Sequence, residues 1–362
     1  MKAIKSLNKT SKKNFVTIGG LLLVYLVVLV LKNGGITSNL INGQLVPICA
    51  YMIMAISLNL TVGILGELSL GHAGFMSVGA FGGVLVSTLM RQVTDSNLLC
   101  LLVAVIAGGV MAALAGLIIG VPVLRLKGDY LAIVTLAFGQ IIKSIINILY
   151  VGLDSEGLHV SVINRMELLE GGKMIISGSM GCSGVRKIST FTFGFVLLLL
   201  CLIVIFNLTQ SRTGRAIMAL RDNRIAAESV GINVTKYKLM VFAISAAMAG
   251  VAGTLFAHNF STVAPSKFDF NTSILVLVFV VLGGLGSMRG SLIAAALLTL
   301  LPELLREFSD YRMLVYAIVL ILVMLGTNNP KLKEFFGGLA GKVKGVFVKG
   351  NKKTGKEENA NG

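Results

Sequence analysis

Charge is what this sequence has least of. Asp, Glu, Lys and Arg together make 13% of 362 residues and apolar residues make 55%, against about 25% and about 45–50% in a soluble domain. A soluble globular class is excluded, and mean hydropathy of +0.87 points to a membrane protein. Histidine is equally sparse: His72, His159 and His258 lie far apart, with no cysteine or paired-carboxylate spacing around them, which excludes a zinc or nucleophile constellation. The four cysteines supply no framework, because Cys49, Cys100 and Cys201 sit in apolar runs and Cys182 stands alone. A phosphate loop is missing too. Its nearest approach, Gly350 to Glu357, places Glu where Ser or Thr would hold magnesium. Gly284 to Gly290 misses the dinucleotide fingerprint by one position. The chain is expected not to be an enzyme and to bind no metal or cofactor of its own.

What is present is a series of uncharged apolar runs. A hydrocarbon core of roughly 30 Å takes about 20 helical residues. About ten candidate spans meet or approach that length: 15–32, 38–62, 72–90, 98–120, 130–151, 191–208, 238–257, 271–287, 290–302 and 313–327. The fold class expected is an all-α polytopic integral membrane protein with about ten transmembrane helices. Lys2, Lys5, Lys9, Lys12 and Lys13 precede the first run, and no small-residue cleavage pattern follows Lys32, so the run reads as a retained helix. With those lysines inside, one threading also places Arg125, Lys127, the segment 209–238, Arg289 and the eight-lysine tail inside. Both termini are then cytoplasmic and the protein is multi-pass in the cell membrane. The domain reading is a basic N-terminus (1–13), a transmembrane domain (14–328) with an outside loop at 152–190, and a basic tail (329–362). The net charge of +16 serves topology and attracts anionic lipid; nucleic acid is not an expected partner, since no aromatics interleave the basic residues.

Ion-driven transport leaves ionisable residues inside spans. Here the exceptions are Lys143, His258 and Glu67. That favours energy supplied by a partner, and leaves an ion-coupled secondary transporter, or a facilitator of a small polar solute such as urea or an amide, as the alternative.

One stretch breaks the apolar pattern. In SRTGRAIMALRDNRIAAESVGINVTKYKL (211–239), Arg212, Arg215, Arg221, Asp222, Arg224, Glu228, Lys236 and Lys238 gather within about thirty positions. Ser211 or Thr213 can cap a helix, and a second short helix is expected to begin near Asp222, which caps it, and to close at Gly231 in the left-handed conformation. Ile225, Ala226 and Ser229 or Val230 would then present a small, partly apolar face. The segment reads equally as a docking surface and as a solvated loop whose arginines fix topology.

Continuing into MVFAISAAMAGVAGTLFA (240–257), this segment resembles the cytoplasmic loop and following span of permease subunits of branched-chain amino acid ABC importers. GELSLGHAGFMSVGAF (66–81), LKGDYLAIVTLAFGQI (126–141) and VLGGLGSMRGSLIAA (281–295) resemble further signatures of that family, in the expected order, and the second of them points to the M-type permease of the pair. The resemblance covers about residues 40 to 328. After the fifth span, where members commonly carry an Asn-Gly stretch, this chain reads GLDSEGLHV (152–160). The resemblance implies ABC importer permease architecture, alternating access, ATP bound by separate ATPase subunits, a second related permease and an extracytoplasmic solute-binding protein. It also implies that Arg221, Asp222, Asn223, Ala226, Ala227, Glu228 and Gly231 couple the chain to the ATPase. Related permeases carry urea, short amides or sugars, so the solute stays open.

Gly66, Gly71, Gly74, Gly79, Gly82 and Gly83 read as close helix packing or as a discontinuous helix beside a water-filled path. A glycine cluster at 283–290 repeats the arrangement, so a parallel internal repeat is conceivable. Polar side chains in or beside the spans are the candidates for the path: Glu67, Ser69, His72, Ser77, Thr135, Ser144, Asn147 and Ser245.

Overall fold

The computed structural model describes residues 9–34, 39–123, 126, 128–154, 157–162 and 172–305, with isolated positions up to 321. The chain divides into two units, Met1–Glu303 and Leu304–Gly362. The tenth expected span and the basic tail lie largely or wholly outside the described residues, and so do 155–156 and 163–171 of the loop expected outside.

Helix α1 (Lys9–Asn33) and α2 (Asn39–Asn59) come first. A π turn, Leu60–Leu65, extends α2, and α3 (His72–Met90), α4 (Asn97–Val123) and α5 (Asp129–Ile148) follow. After the sheet come α6 (Phe191–Gln210), the short α7 (Arg212–Asp222) and α8 (Arg224–Ser229), then α9 (Val234–Ala257), α10 (Phe270–Gly283) and α11 (Met288–Leu304). Six of these are long and apolar enough to cross a membrane: α2 with its π extension, α3, α4, α5, α6 and α9. The expected ten are therefore not reached among the described residues. The apolar part of α1, Val16–Lys32, is shorter, and α10 has 14 residues, about 21 Å at 1.5 Å per residue. Glycines fix the boundary between α10 and α11. Gly284 and Gly286 hold φ of +90° and +78°, where only glycine is unstrained, and they end α10 at Gly283, short of the expected 287.

The spanning helices form an inner and an outer set. Buried positions make up 83% of the α2 window and 67% of both α3 and α9, but only 28–39% of α4, α5 and α6. Helix α9 is the hub, packed on α4, α3 and α2. Its sequence explains this, since Ala246, Ala249, Gly250, Ala252 and Gly253 are all buried and such residues let backbones approach without a hydrophobic driving force. A Cβ on Gly79 would collide with the backbone of Gly250, and one on Gly253 with the carbonyl of Met76. Thr254 Oγ1 donates to Gly79 O at 2.8 Å across the same seam. Many exposed large apolar side chains, among them Leu114, Ile118, Ile133 and Leu200, lie on the outer helices, as hydrocarbon contact requires.

The loop at 152–190 is not irregular throughout, and the all-helical body carries a small sheet at one end. Strands β1 (Leu149–Asp154), β2 (Gly157–Val162), β3 (Lys173–Ser177), β4 (Cys182–Ser183) and β5 (Thr262–Val263) form one antiparallel sheet in the order β2-β1-β3-β4-β5. Strand β1 continues directly from α5, and Val151, Ile175, Ile176, Cys182 and Val263 are buried in it. Burial pushes the Cys182 thiol up to about 12, so it stays protonated.

The tight α3–α9 seam yields a prediction. Gly253→Val forces backbone apart and is expected to cost at least about 1–3 kcal/mol. Gly19→Val, with nothing within 4 Å of its Cβ position, is expected to stay within about 0.5 kcal/mol. Thermal unfolding of the purified protein in detergent compares the two.

Candidate functional site

The site grows out of a break in the helical body at the end opposite the sheet. Six residues of π geometry end α2, a form that appears mostly as local bulges at functional positions. Gly66 then reverses the chain at φ +81°, its amide closing the turn onto Thr61 O. Residues 66–71 carry no regular structure before α3 begins at His72. Irregular backbone inside a helical membrane body needs partners from elsewhere, and it has them. Leu70 N donates to Thr135 Oγ1 at 3.0 Å and Ala73 N to Ser273 Oγ at 3.1 Å. Asn59 Oδ1 accepts from Gly286 N at 2.8 Å, while Asn59 Nδ2 donates to Ser291 Oγ at 2.8 Å. A Cβ on Gly63 would strike the amide of Gly286, so the break and the glycine turn before α11 touch backbone to backbone.

Above the break sits a buried hydroxyl cluster. His72 Nε2 lies 2.8 Å from Ser245 Oγ, Thr61 Oγ1 donates to Ser245 Oγ at 2.9 Å, and Ser245 Oγ donates to Ser57 O at 2.6 Å. His72, Ser245 and Ser69 are at most 1% exposed. Two atoms here lack a partner: Ser69 Oγ and His72 Nδ1. A buried polar atom left unsatisfied costs about 1–3 kcal/mol, which makes this pair the place where water or a polar solute is most needed.

Among the expected path residues, Glu67, Ser69, His72, Thr135 and Ser245 are thus gathered around one break. Ser77 stands apart, spent on its own helix by donating to Gly74 O at 2.7 Å. Ser144 is exposed on the outer face of α5 and Asn147 lies near the sheet end, so neither joins the cluster. Ser57, Asn59, Thr61, Ser273 and Ser291 were missed. The polar alternation Ser57, Asn59, Thr61 inside an apolar run was the available signal.

The polar segment lies against the break. Ser211 caps α7, accepting from Gly214 N at 3.1 Å. The second cap is Asn223, which accepts from Ala226 N at 3.1 Å, and not Asp222 as expected. Asp222 ends α7 and its carboxylate faces Arg221 at 2.9 Å. Gly231 takes the left-handed conformation, φ +84°, as expected. Of the seven residues expected to couple, Ala227 turns inward and packs with Leu220 and Val234, Arg221, Asp222, Asn223, Ala226, Glu228 and Gly231 are exposed, and Arg224 braces the helix through Glu228 at 3.0 Å. Ile225 and Val230 project into the open, 80% and 74% exposed.

Two cations of the segment reach into the break. Arg221 Nη1 donates to Gly63 O at 3.2 Å, and its side chain lies over Gly66. Lys238, at the foot of α9, forms an ion pair with Glu67; the two side chains are 7% and 16% exposed.

At the sheet end, His258 is buried, with Nε2 at 2.8 Å from Ser87 Oγ and Nδ1 at 2.8 Å from Thr254 O; burial holds its imidazole below the usual range. Lys143, the charge inside the α5 span, pairs with Asp269 at 3.0 Å, and Gln140 adds a 3.3 Å bond. The hydrogen bond from Lys143, then that from Phe270 N, holds the Asp269 carboxyl below its ordinary range. A depressed carboxyl contributes above its unfolded value, and that contribution is lost as pH falls through the folded one.

Removing one partner of a mostly buried ion pair is expected to cost about 3–5 kcal/mol, whereas replacing both costs less. Glu67→Gln and Lys238→Met should therefore each lower the unfolding temperature, and the double variant should lose less than their sum. Additive losses in a double-mutant cycle would show that the two charges are not coupled.

The sequence profile of a family described as branched-chain amino acid transport system / permease component matches residues 40–324. The chain is 39% identical over 311 residues to the high-affinity branched-chain amino acid transport system permease protein LivM of Escherichia coli K12, covering 80% of this chain and 71% of that protein. The Salmonella typhimurium LivM is 38% identical, covering 78% and 69%. The LivH permease of Salmonella typhimurium is 26% identical, covering 76% and 88%. No solved structure matches.

Proposed function

Because the chain belongs to the branched-chain amino acid permease family, we propose that it is the LivM-like membrane subunit of an ATP-driven importer, moving branched-chain or related amino acids by alternating access. ATP is bound by separate subunits, a second, LivH-like permease pairs with this one, and a solute-binding protein delivers at the sheet end. The segment 209–238 and both termini lie on the cytoplasmic side. The observation that carries the reading is that the polar segment is wired into the break: Arg221 holds Gly63 O and Lys238 holds Glu67. A force applied to that segment acts directly on the irregular backbone beside His72 and Ser245.

The exposed Ile225 and Val230, on a helix braced by Arg224 and Glu228, support a docking face for the ATPase. The two breaks, 66–71 and 284–287, support a parallel repeat relating α2–α3 to α10–α11. The ion-coupled alternative finds less support, since the charged side chains at the break and within α5 are engaged in pairs.

Two tests follow. Ile225→Asp and Val230→Asp leave buried contacts intact, so the unfolding temperature should hold while ATP-driven uptake by the reconstituted complex falls by roughly tenfold or more, as for a hot-spot anchor. Uptake at the wild-type rate, or by this chain alone without ATP, would overturn the reading. For the path, Ser69→Ala removes an unsatisfied buried hydroxyl, a change expected to be neutral or stabilising by up to about 1–3 kcal/mol. Uptake should nevertheless fall; unchanged uptake would place the solute elsewhere.

A further inference from the structure

A second feature lies at the same end of the molecule, and transport by itself gives it no role. A cavity of about 540 Å³ opens between the π turn, the end of α6, α7 and the start of α11, within the size range of small-molecule sites. Its lining is of two kinds. Ile64, Phe206 and Met218 form apolar walls, while Arg221 and Arg289 place two guanidinium groups on it. Arg221 is largely committed, to Gly63 O and to Asp222. Arg289 is not: its Nη2 is buried without any hydrogen-bond partner, and no carboxylate among the described residues pairs with it.

A guanidinium nitrogen withdrawn from water and left without an acceptor is costly. The acceptor that suits a guanidinium fork best is a carboxylate or a phosphate. The only described carboxylate bonded to either arginine, Asp222, is already held by Arg221, so no described side chain supplies the acceptor and a bound anion would. The apolar walls favour one that carries hydrocarbon next to its charge. The place fits as well, because α6 ends there at Gln210, where a membrane-crossing helix gives way to a polar loop.

We propose that this cavity is a binding site for a phosphate-class anion, seated on Arg289 with Arg221 opposite, its source being the phosphate of an anionic phospholipid or free phosphate. Bound there, the anion ties α11 to the end of α7, and so to the segment that holds the break.

The test uses the purified full-length protein. In mixed micelles of phosphatidylglycerol and phosphatidylcholine, native mass spectrometry reads retained lipid. Wild type should keep phosphatidylglycerol in preference to phosphatidylcholine, and Arg289→Gln should reduce that retention roughly tenfold, the size expected for one charge-assisted bond. Arg212→Gln, which removes an exposed cation of the same loop, should leave it unchanged. Should Arg289→Gln fail to fold, Met218→Glu supplies an internal carboxylate to the cavity and should displace the lipid equally. In a second arm, inorganic phosphate is added to delipidated protein. A rise in unfolding temperature in wild type that Arg289→Gln abolishes, without lipid retention, assigns the site to free phosphate. Retention lost equally in Arg212→Gln, or no response to Arg289→Gln or Met218→Glu in either arm, overturns the proposal.

Discussion

Hydrocarbon offers no hydrogen bonds, so a peptide group that leaves helical geometry inside a membrane body must be met by another part of the chain. Much of this structure follows from that constraint. The break at 66–71 and the glycine turn at 284–287 each expose backbone N–H groups, and side chains from distant helices answer them: Thr135 for Leu70, Ser273 for Ala73, Asn59 for Gly286. Each satisfying group is small and polar and sits in an otherwise apolar helix. Thr135, Ser273 and Asn59 are thus positioned to meet backbone where regular structure ends.

The same constraint explains why the polar loop matters to the interior. A carbonyl freed by the π turn, Gly63 O, takes its donor from Arg221, outside the helical body. Glu67, next to the reversal at Gly66, takes its counter-charge from Lys238. Both cations belong to one stretch of chain that passes through α7 and α8 into α9. The loop has its own small core in Leu220, Ala227 and Val234, which ties α7, α8 and the start of α9 together. Helix α9, the hub of the bundle, continues directly from that loop and is tightly seamed to α3 and α4.

Much of the helical frame is legible in the sequence. The run at 72–90 coincides with α3, because a glycine-rich polar stretch precedes it and Arg91 ends it. The positive φ at Gly231 was equally readable, since few other residues close a helix that way. Other features depend on contacts that no local pattern encodes. The sheet needs Cys182 to meet Val263 across eighty positions of chain, and strand β1 looks like the tail of α5 until that pairing exists. Lys143 looked anomalous alone because its partner, Asp269, caps a different helix. Asp222 and Asn223 are equally good caps in sequence; in the structure Asn223 takes the extended conformation and caps α8, while Asp222 ends α7 beside Arg221. Asn59 is a polar residue in an apolar run, but its role depends on two partners, Gly286 and Ser291, that lie more than two hundred residues away in the chain.

Helices α10 and α11 gain their meaning from this arrangement. At 14 residues, α10 is too short to cross by itself, and the glycine turn that follows it packs its backbone against Gly63. Two interruptions therefore abut, one in each half of the chain, with Arg221 reaching the first and Arg289 flanking the second. A bundle built of unbroken helices would resist bending everywhere alike. Here both interruptions, the hydroxyl cluster and the charged loop converge in one region, while the seam between α9 and α3 is close-packed around small residues. The region where the loop's two cations meet the bundle thus borders the buried atoms of Ser69 and His72 that lack partners.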